Sequence, residues 1–109
     1  MTAENPADIL ARLFAVIESR KGGDADSSYT AKLLAGGAPK IGKKLGEEAT
    51  EVTIAALSEG PDAVARESAD LLYHLLVMWS AMGLTPEDVY AELAKREGTS
   101  GIDEKNSRT

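Results

Sequence analysis

The feature that most constrains this chain is a set of carboxylates, Glu47-Glu48-Ala49-Thr50-Glu51 and then Glu67-Ser68-Ala69-Asp70, lying on two successive helical patterns. At about 100° per residue, Ile41, Leu45, Val52, Ala55 and Ala56 share one side of the first pattern, with Glu48 in the middle. Glu47 and Glu48 both stack on Glu51, one turn later. In the second pattern, Val64, Leu71, Leu75, Met78, Trp79 and Met82 form the stripe, and Glu67, Asp70 and His74 follow its edge. Gly60-Pro61-Asp62 separates the two, and a short connection favours antiparallel packing, so the acidic sets meet across the interface. Burying anions costs several kcal/mol each unless they are paired or bind a metal. The arrangement asks for a cation. The alternative is that both sets are solvated and decorate an acidic surface; Glu48 in mid-stripe argues against it.

The remaining segments also read as helices. Asn5-Pro6-Ala7-Asp8 supplies an N-cap, Pro at the first position and an acid at the third, and opens a helix through Ile9, Leu10, Leu13, Phe14 and Ile17, ending near Arg20 and Lys21. Gly22 to Asp26 is a polar break. Ser28 to Ala35 forms a short helix or turn carrying Tyr29, Leu33 and Leu34, and Gly36-Gly37-Ala38-Pro39 stops it. The third segment runs from Lys40 to Leu57, where Gly60-Pro61-Asp62 supplies a Gly stop and an Asp cap for the fourth, which runs to Met82 and ends at Gly83. Thr85-Pro86-Glu87-Asp88 opens a last helix through Arg96. Residues 98–109 are polar and aperiodic. No alternating strand pattern exceeds chance, so the chain reads as one all-α domain, 1–109, built around an antiparallel helix pair.

With 109 residues, 43% of them hydrophobic, there is material for one core and no more. Cysteine is absent, which removes disulfides, thiolate catalysis and Cys-based zinc sites and suits a reducing compartment. No signal-like segment opens the chain, and no run approaches the roughly 18 apolar residues of a membrane span, so a cytoplasmic protein with no membrane partner is the default. A formal charge of −6 argues against non-specific nucleic-acid binding. It does not exclude a phosphorylated small substrate, because a divalent ion held by carboxylates reverses the local sign.

An all-oxygen donor set favours Mg²⁺, with Mn²⁺ as substitute, over zinc. Magnesium usually completes its shell with water and substrate phosphates. A site of that kind polarises a phosphoryl oxygen and lowers the pKa of bound water. Glu47, on the flank of the stripe, is a candidate base for that water or a further ligand. Lys40, Lys43 and Lys44 precede the cluster by one to two turns and suit a polyphosphate. Lys44 and Glu48 also have the spacing of a surface i, i+4 pair. His74 reads more simply as a packed, hydrogen-bonded residue than as a ligand.

Gly42-Lys43-Lys44-Leu45-Gly46-Glu47-Glu48-Ala49-Thr50-Glu51 with Glu67-Ser68-Ala69-Asp70-Leu71-Leu72-Tyr73-His74 resembles the EExxE…ExxD pattern of the all-α nucleoside-triphosphate pyrophosphatase superfamily. Ser28-Tyr29-Thr30-Ala31-Lys32-Leu33-Leu34 before it, and Lys95-Arg96-Glu97-Gly98-Thr99-Ser100-Gly101-Ile102-Asp103-Glu104-Lys105 after it, look like the phosphoribosyl-ATP pyrophosphatase family of histidine biosynthesis. The resemblance implies hydrolysis of phosphoribosyl-ATP to phosphoribosyl-AMP and pyrophosphate. It implies magnesium ligation by Glu48, Glu51, Glu67 and Asp70, with Glu47 as base or additional ligand. It also implies a bundle completed by self-association to at least a homodimer, and Arg96, Lys105 or Arg108 folding over the substrate or a neighbouring subunit. Some relatives are fused to a cyclohydrolase, but the length and lack of cysteine here lead us to expect the single-function form. Two other readings remain open at this point: a pyrophosphatase clearing non-standard nucleoside triphosphates, and a non-catalytic helical module that binds a cation.

Overall fold

Of the caps read from the sequence, Asn5 and Thr85 open helical structure, but Asp62 lies inside the first turn of a helix that starts at Pro61, with no side-chain cap bond at Gly60 before it. In the computed structural model, which describes residues 5–98, 101, 105, 106 and 108, Asn5 accepts a hydrogen bond from the Ala7 amide and opens a 3-10 turn, Pro6–Asp8. That turn leads directly into α1, Ile9–Ser19. Ser28 caps α2, Tyr29–Ser58, by accepting from the Ala31 amide. Pro61 opens α3, Pro61–Met82, and Gly83 ends it in the left-handed conformation. Thr85 and Asp88 form a reciprocal capping box at the start of α4, Pro86–Arg96. No strand occurs among the described residues, so the all-α expectation holds.

The break expected at Gly36–Pro39 is present, but it is a reversal at one residue rather than a loop. Gly37 sits at φ 77°, ψ −177°, a conformation essentially closed to residues with a side chain. Helical geometry resumes at once, and Pro39 enters the new helical run where its missing N–H has no intrahelical partner to lose. A straight helix would hold Tyr29 and Glu48 about 28 Å apart. Instead Tyr29 bonds to His74, one turn after Asp70 on α3, and Asp70 faces Glu48. The first two turns of α2 therefore run back alongside the rest of the helix.

Beyond Gly37, α2 and α3 form the expected antiparallel pair. Gly60, at φ 123°, and Glu59 make the whole connection, and both their amides donate to the Ala55 carbonyl at 3.0 Å. Gly42 backs onto Met78, while Glu48 lies opposite Glu67 and Asp70 nearer the turn. The core joins Phe14 and Ile17 of α1 with Leu33 and Ile41 of α2 and Leu76, Val77 and Trp79 of α3. Packing of α3 on both α1 and α2 shifts its buried surface from the expected stripe. His74 and Ser80 are buried, Leu71, Leu75 and Met78 are only half-buried, and Met82 is 61% exposed. On α2, Ile41 and Ala55 are buried as expected, but Ala56 faces outward. No helix among the described residues is long and apolar enough to cross a membrane.

Candidate active site

Three of the expected carboxylates converge. Glu48 from α2 and Glu67 and Asp70 from α3 each place one oxygen within 4.8 Å of the other two. Glu48 and Glu67 are half-buried, and Asp70 is exposed. The Oε2 atoms of Glu48 and Glu67 are buried without a hydrogen-bond partner among the described residues. Orphaned buried carboxylate oxygens are costly, and their donor chemistry fits a hard divalent cation. The residues present therefore fit the metal that the sequence calls for.

Glu51, one turn after Glu48, adds a fourth carboxylate beside this group without joining the close three-way set. Its effect is electrostatic. Glu67 is pushed above the ordinary carboxylate range first by side-chain hydrogen bonding with Glu51, and then by desolvation and by the charges of Glu51, Asp70 and Glu48. Glu48 is raised chiefly by desolvation, then by Glu51 and Asp70, against a lowering influence of His74. A cluster that favours protons in this way favours a cation in their place.

The other expected site residues occupy different positions. Glu47 is exposed and pairs with Lys44 at 3.5 Å, so the partner of Lys44 is Glu47 at i+3 rather than Glu48 at i+4. Lys40 lays its aliphatic stem over Gly36, across the reversal. Lys43 is exposed, and neither it nor Lys40 has an ion pair among the described residues. Arg96 is tied within α4 to Glu92 at 3.3 Å. That contact, with Lys95, holds the Glu92 carboxyl below its usual range. Lys105 and Arg108 are exposed, and the Arg108 amide donates to the Lys105 carbonyl. Gly101, Lys105 and Asn106 have helical backbone, so the segment expected to be aperiodic is partly ordered. The rest of residues 98–109, apart from Gly98, lies outside the described residues.

One group of residues near the carboxylates was not anticipated. His74 is buried, as a packed residue, and bridges two elements. Its Nδ1 lies 2.8 Å from the Asp70 carbonyl, and its Nε2 lies 2.9 Å from the Tyr29 hydroxyl. Thr30 bonds in turn to the Tyr73 hydroxyl. The available signal was the quoted Ser28-Tyr29-Thr30 segment, whose role depends on a reversal that residue types alone do not specify.

Comparison with known proteins is decisive at this point. The family profile described as phosphoribosyl-ATP pyrophosphohydrolase matches residues 10–97, from the second residue of α1 through α4 and including every carboxylate of the cluster. The chain belongs to that family. Within the phosphoribosyl-ATP pyrophosphohydrolases, it is 63% identical over 100 residues to the phosphoribosyl-ATP pyrophosphatase of Paramagnetospirillum magneticum, covering 92% of each chain. It is 60% identical over 102 residues to that of Parvibaculum lavamentivorans, covering 94% of each. With the protein of the same name from Rhodospirillum rubrum the identity is 58% over 101 residues, covering 93% of this chain and 86% of the relative. The family resemblance carried by the sequence motifs is thereby established.

Proposed function

We propose that the chain hydrolyses phosphoribosyl-ATP to phosphoribosyl-AMP and pyrophosphate, a step of histidine biosynthesis, at the Glu48–Glu67–Asp70 cluster. The observation that carries this reading is the convergence of those three carboxylates, two with orphaned oxygens, in a chain of this family. Glu48, Glu67 and Asp70 hold the metal, Mg²⁺ or Mn²⁺, and Glu51 completes or tunes their set. When bound, the ion supplies a Lewis acid for phosphoryl oxygens and an acidified water. Lys44, half-buried and one turn before Glu48, faces the polyphosphate, and Lys40 and Lys43 extend the cationic approach. Glu47, next to Glu48 yet outside the close set, takes the proton from the attacking water.

The reading extends to the assembly. Ile54 and Leu57 lie on one exposed face of α2, with Leu57 83% exposed, and we assign that face to a second copy of the chain. Lys105 and Arg108, beyond α4, cover the substrate or the neighbouring subunit, with Arg96 behind them. The absence of cysteine suits a cytoplasmic location.

The test is pyrophosphate release from phosphoribosyl-ATP with and without magnesium, with ATP and dUTP as alternative substrates. Magnesium-dependent release from phosphoribosyl-ATP in preference to the others is expected. Release mainly from another nucleotide would discard the substrate and keep the metal site. No release from any of them would leave only cation binding.

A further inference from the structure

The aromatic group beside the carboxylates has no part in the hydrolysis described so far. A backbone carbonyl only accepts, so His74 carries its proton on Nδ1, donating to Asp70. Its Nε2 lies 2.9 Å from the Tyr29 hydroxyl and engages it. The imidazole ring meets the Tyr29 ring edge-on, with centroids 5.8 Å apart, and the Tyr73 ring likewise at 5.2 Å. Tyr29 and Tyr73 lie nearly parallel, 23° apart, and Tyr73 is anchored through Thr30. Both tyrosine hydroxyls are thus committed inside the protein.

Tyr29 nevertheless leaves half of its surface exposed. With its hydroxyl held by His74, the side chain offers a ligand its ring rather than a free hydroxyl. It stands next to the carboxylate cluster, because its partner His74 is bonded to the carbonyl of Asp70, a member of that cluster. A fixed, apolar aromatic face beside a phosphate-binding and cation-binding site suits the planar, uncharged part of a nucleotide.

We propose that Tyr29 is a specificity-determining residue on whose ring the adenine of the nucleotide stacks, with His74 as the positioning residue that holds the ring. The proposal rests on the hydrolase reading for the placement of the phosphates on Lys44 and the carboxylates. It adds that the reversal at Gly37 delivers the base-binding surface, so the same helix supplies both the phosphate and the base contacts.

The experiment compares wild type, Tyr29→Leu and Tyr29→Phe in the full chain with magnesium. It measures KM and kcat for phosphoribosyl-ATP and the inhibition constant of inorganic tripolyphosphate, which has no base. Tyr29→Leu is expected to raise KM about tenfold or more, the scale of one lost base–aromatic stack. Its tripolyphosphate inhibition should stay at the wild-type value. Tyr29→Phe, which keeps the ring, should recover most of the lost affinity. Equal weakening of substrate and tripolyphosphate, or an unchanged KM in Tyr29→Leu, would overturn the proposal. Calorimetric titration with ATP and with tripolyphosphate repeats the comparison without turnover. If wild type binds ATP more tightly than tripolyphosphate and Tyr29→Leu abolishes the difference, base stacking stands even where the hydrolase reading fails. Equal wild-type affinities for the two would overturn it.

Discussion

Tyr29 and His74, 45 residues apart in the chain, share a 2.9 Å hydrogen bond that closes the N-terminal turns of α2 onto α3. His74 is bonded in turn to the carbonyl of Asp70, whose carboxylate belongs to the cluster. The local fold and the candidate site therefore share residues, and a change in one is read in the other.

The reversal at Gly37 is the first place to see this. A Cβ there would stand 3.8 Å from the Pro39 Cδ, an ordinary contact, so Gly37→Ala costs backbone strain rather than space. That strain is about 1–3 kcal/mol, and each kcal/mol should lower Tm by roughly 4–8 °C in a domain of this size. Gly46→Ala is the contrast. Its Cβ would meet nothing within 4 Å, in a helix interior, and it should raise stability by about 0.5–1 kcal/mol. Thermal melts of the two variants check both signs.

Removing one cluster charge separates function from fold. Glu48→Gln and Asp70→Asn should each reduce pyrophosphate release by about a hundredfold or more, at least what losing a metal ligand's supporting partner costs. Metal-free Glu48→Gln should melt no lower than wild type, because Glu48 is pressed by Glu51 and Asp70. Kinetics and melts in chelator measure the two effects independently, and retained activity in both variants would remove the proposed mechanism.

The raised carboxyls of Glu48 and Glu67 fix the direction of pH dependence without metal. A carboxyl whose pKa is higher folded than unfolded takes up a proton on folding. Its stabilising contribution is full below the unfolded value and is lost as pH rises through the folded one. Metal-free protein should therefore lose stability from the ordinary carboxylate range upward. Glu92, lowered by Arg96 and Lys95, acts in a separate window: its contribution is lost as pH falls through a value below that range. Magnesium competes with the protons on the cluster, so its stabilisation should be larger at about pH 8 than at about pH 5. Melts with chelator and with magnesium at both values test the sign.

The exposed apolar face of α2 predicts the assembly. Burying one leucine is worth about 1.5–3 kcal/mol, and a two-fold interface uses each residue twice. Leu57→Glu should thus weaken dimerisation by about a hundredfold or more. Sedimentation of wild type as a monomer across the working concentration range would dismiss the assignment.

Capping was legible in the sequence because it is local chemistry: Asn5, Thr85 and Asp88 do what their types and spacing require. The meeting of Glu48 with Glu67 and Asp70 was legible because periodicity and a short turn determine an antiparallel register. The faces of α3 were less so. Its sequence shows one stripe, but α1 and α2 pack on two sides, burying small Ser80 and leaving Met82 outside. Gly36, Gly37 and Pro39 announced a break without its angle, since a glycine permits many conformations and tertiary packing selects one. The neighbourhood of Tyr29 depends on that angle.

The two-residue connection between α2 and α3 has a kinetic consequence. Closing so short a loop is fast, and contacts between neighbouring helices belong to the early part of folding. Glu48 and Asp70 lie only 22 positions apart and must approach as the hairpin forms. Their repulsion then falls on the barrier to folding rather than on the finished protein alone. A divalent ion that screens them should quicken refolding, a rate effect that equilibrium melts do not report.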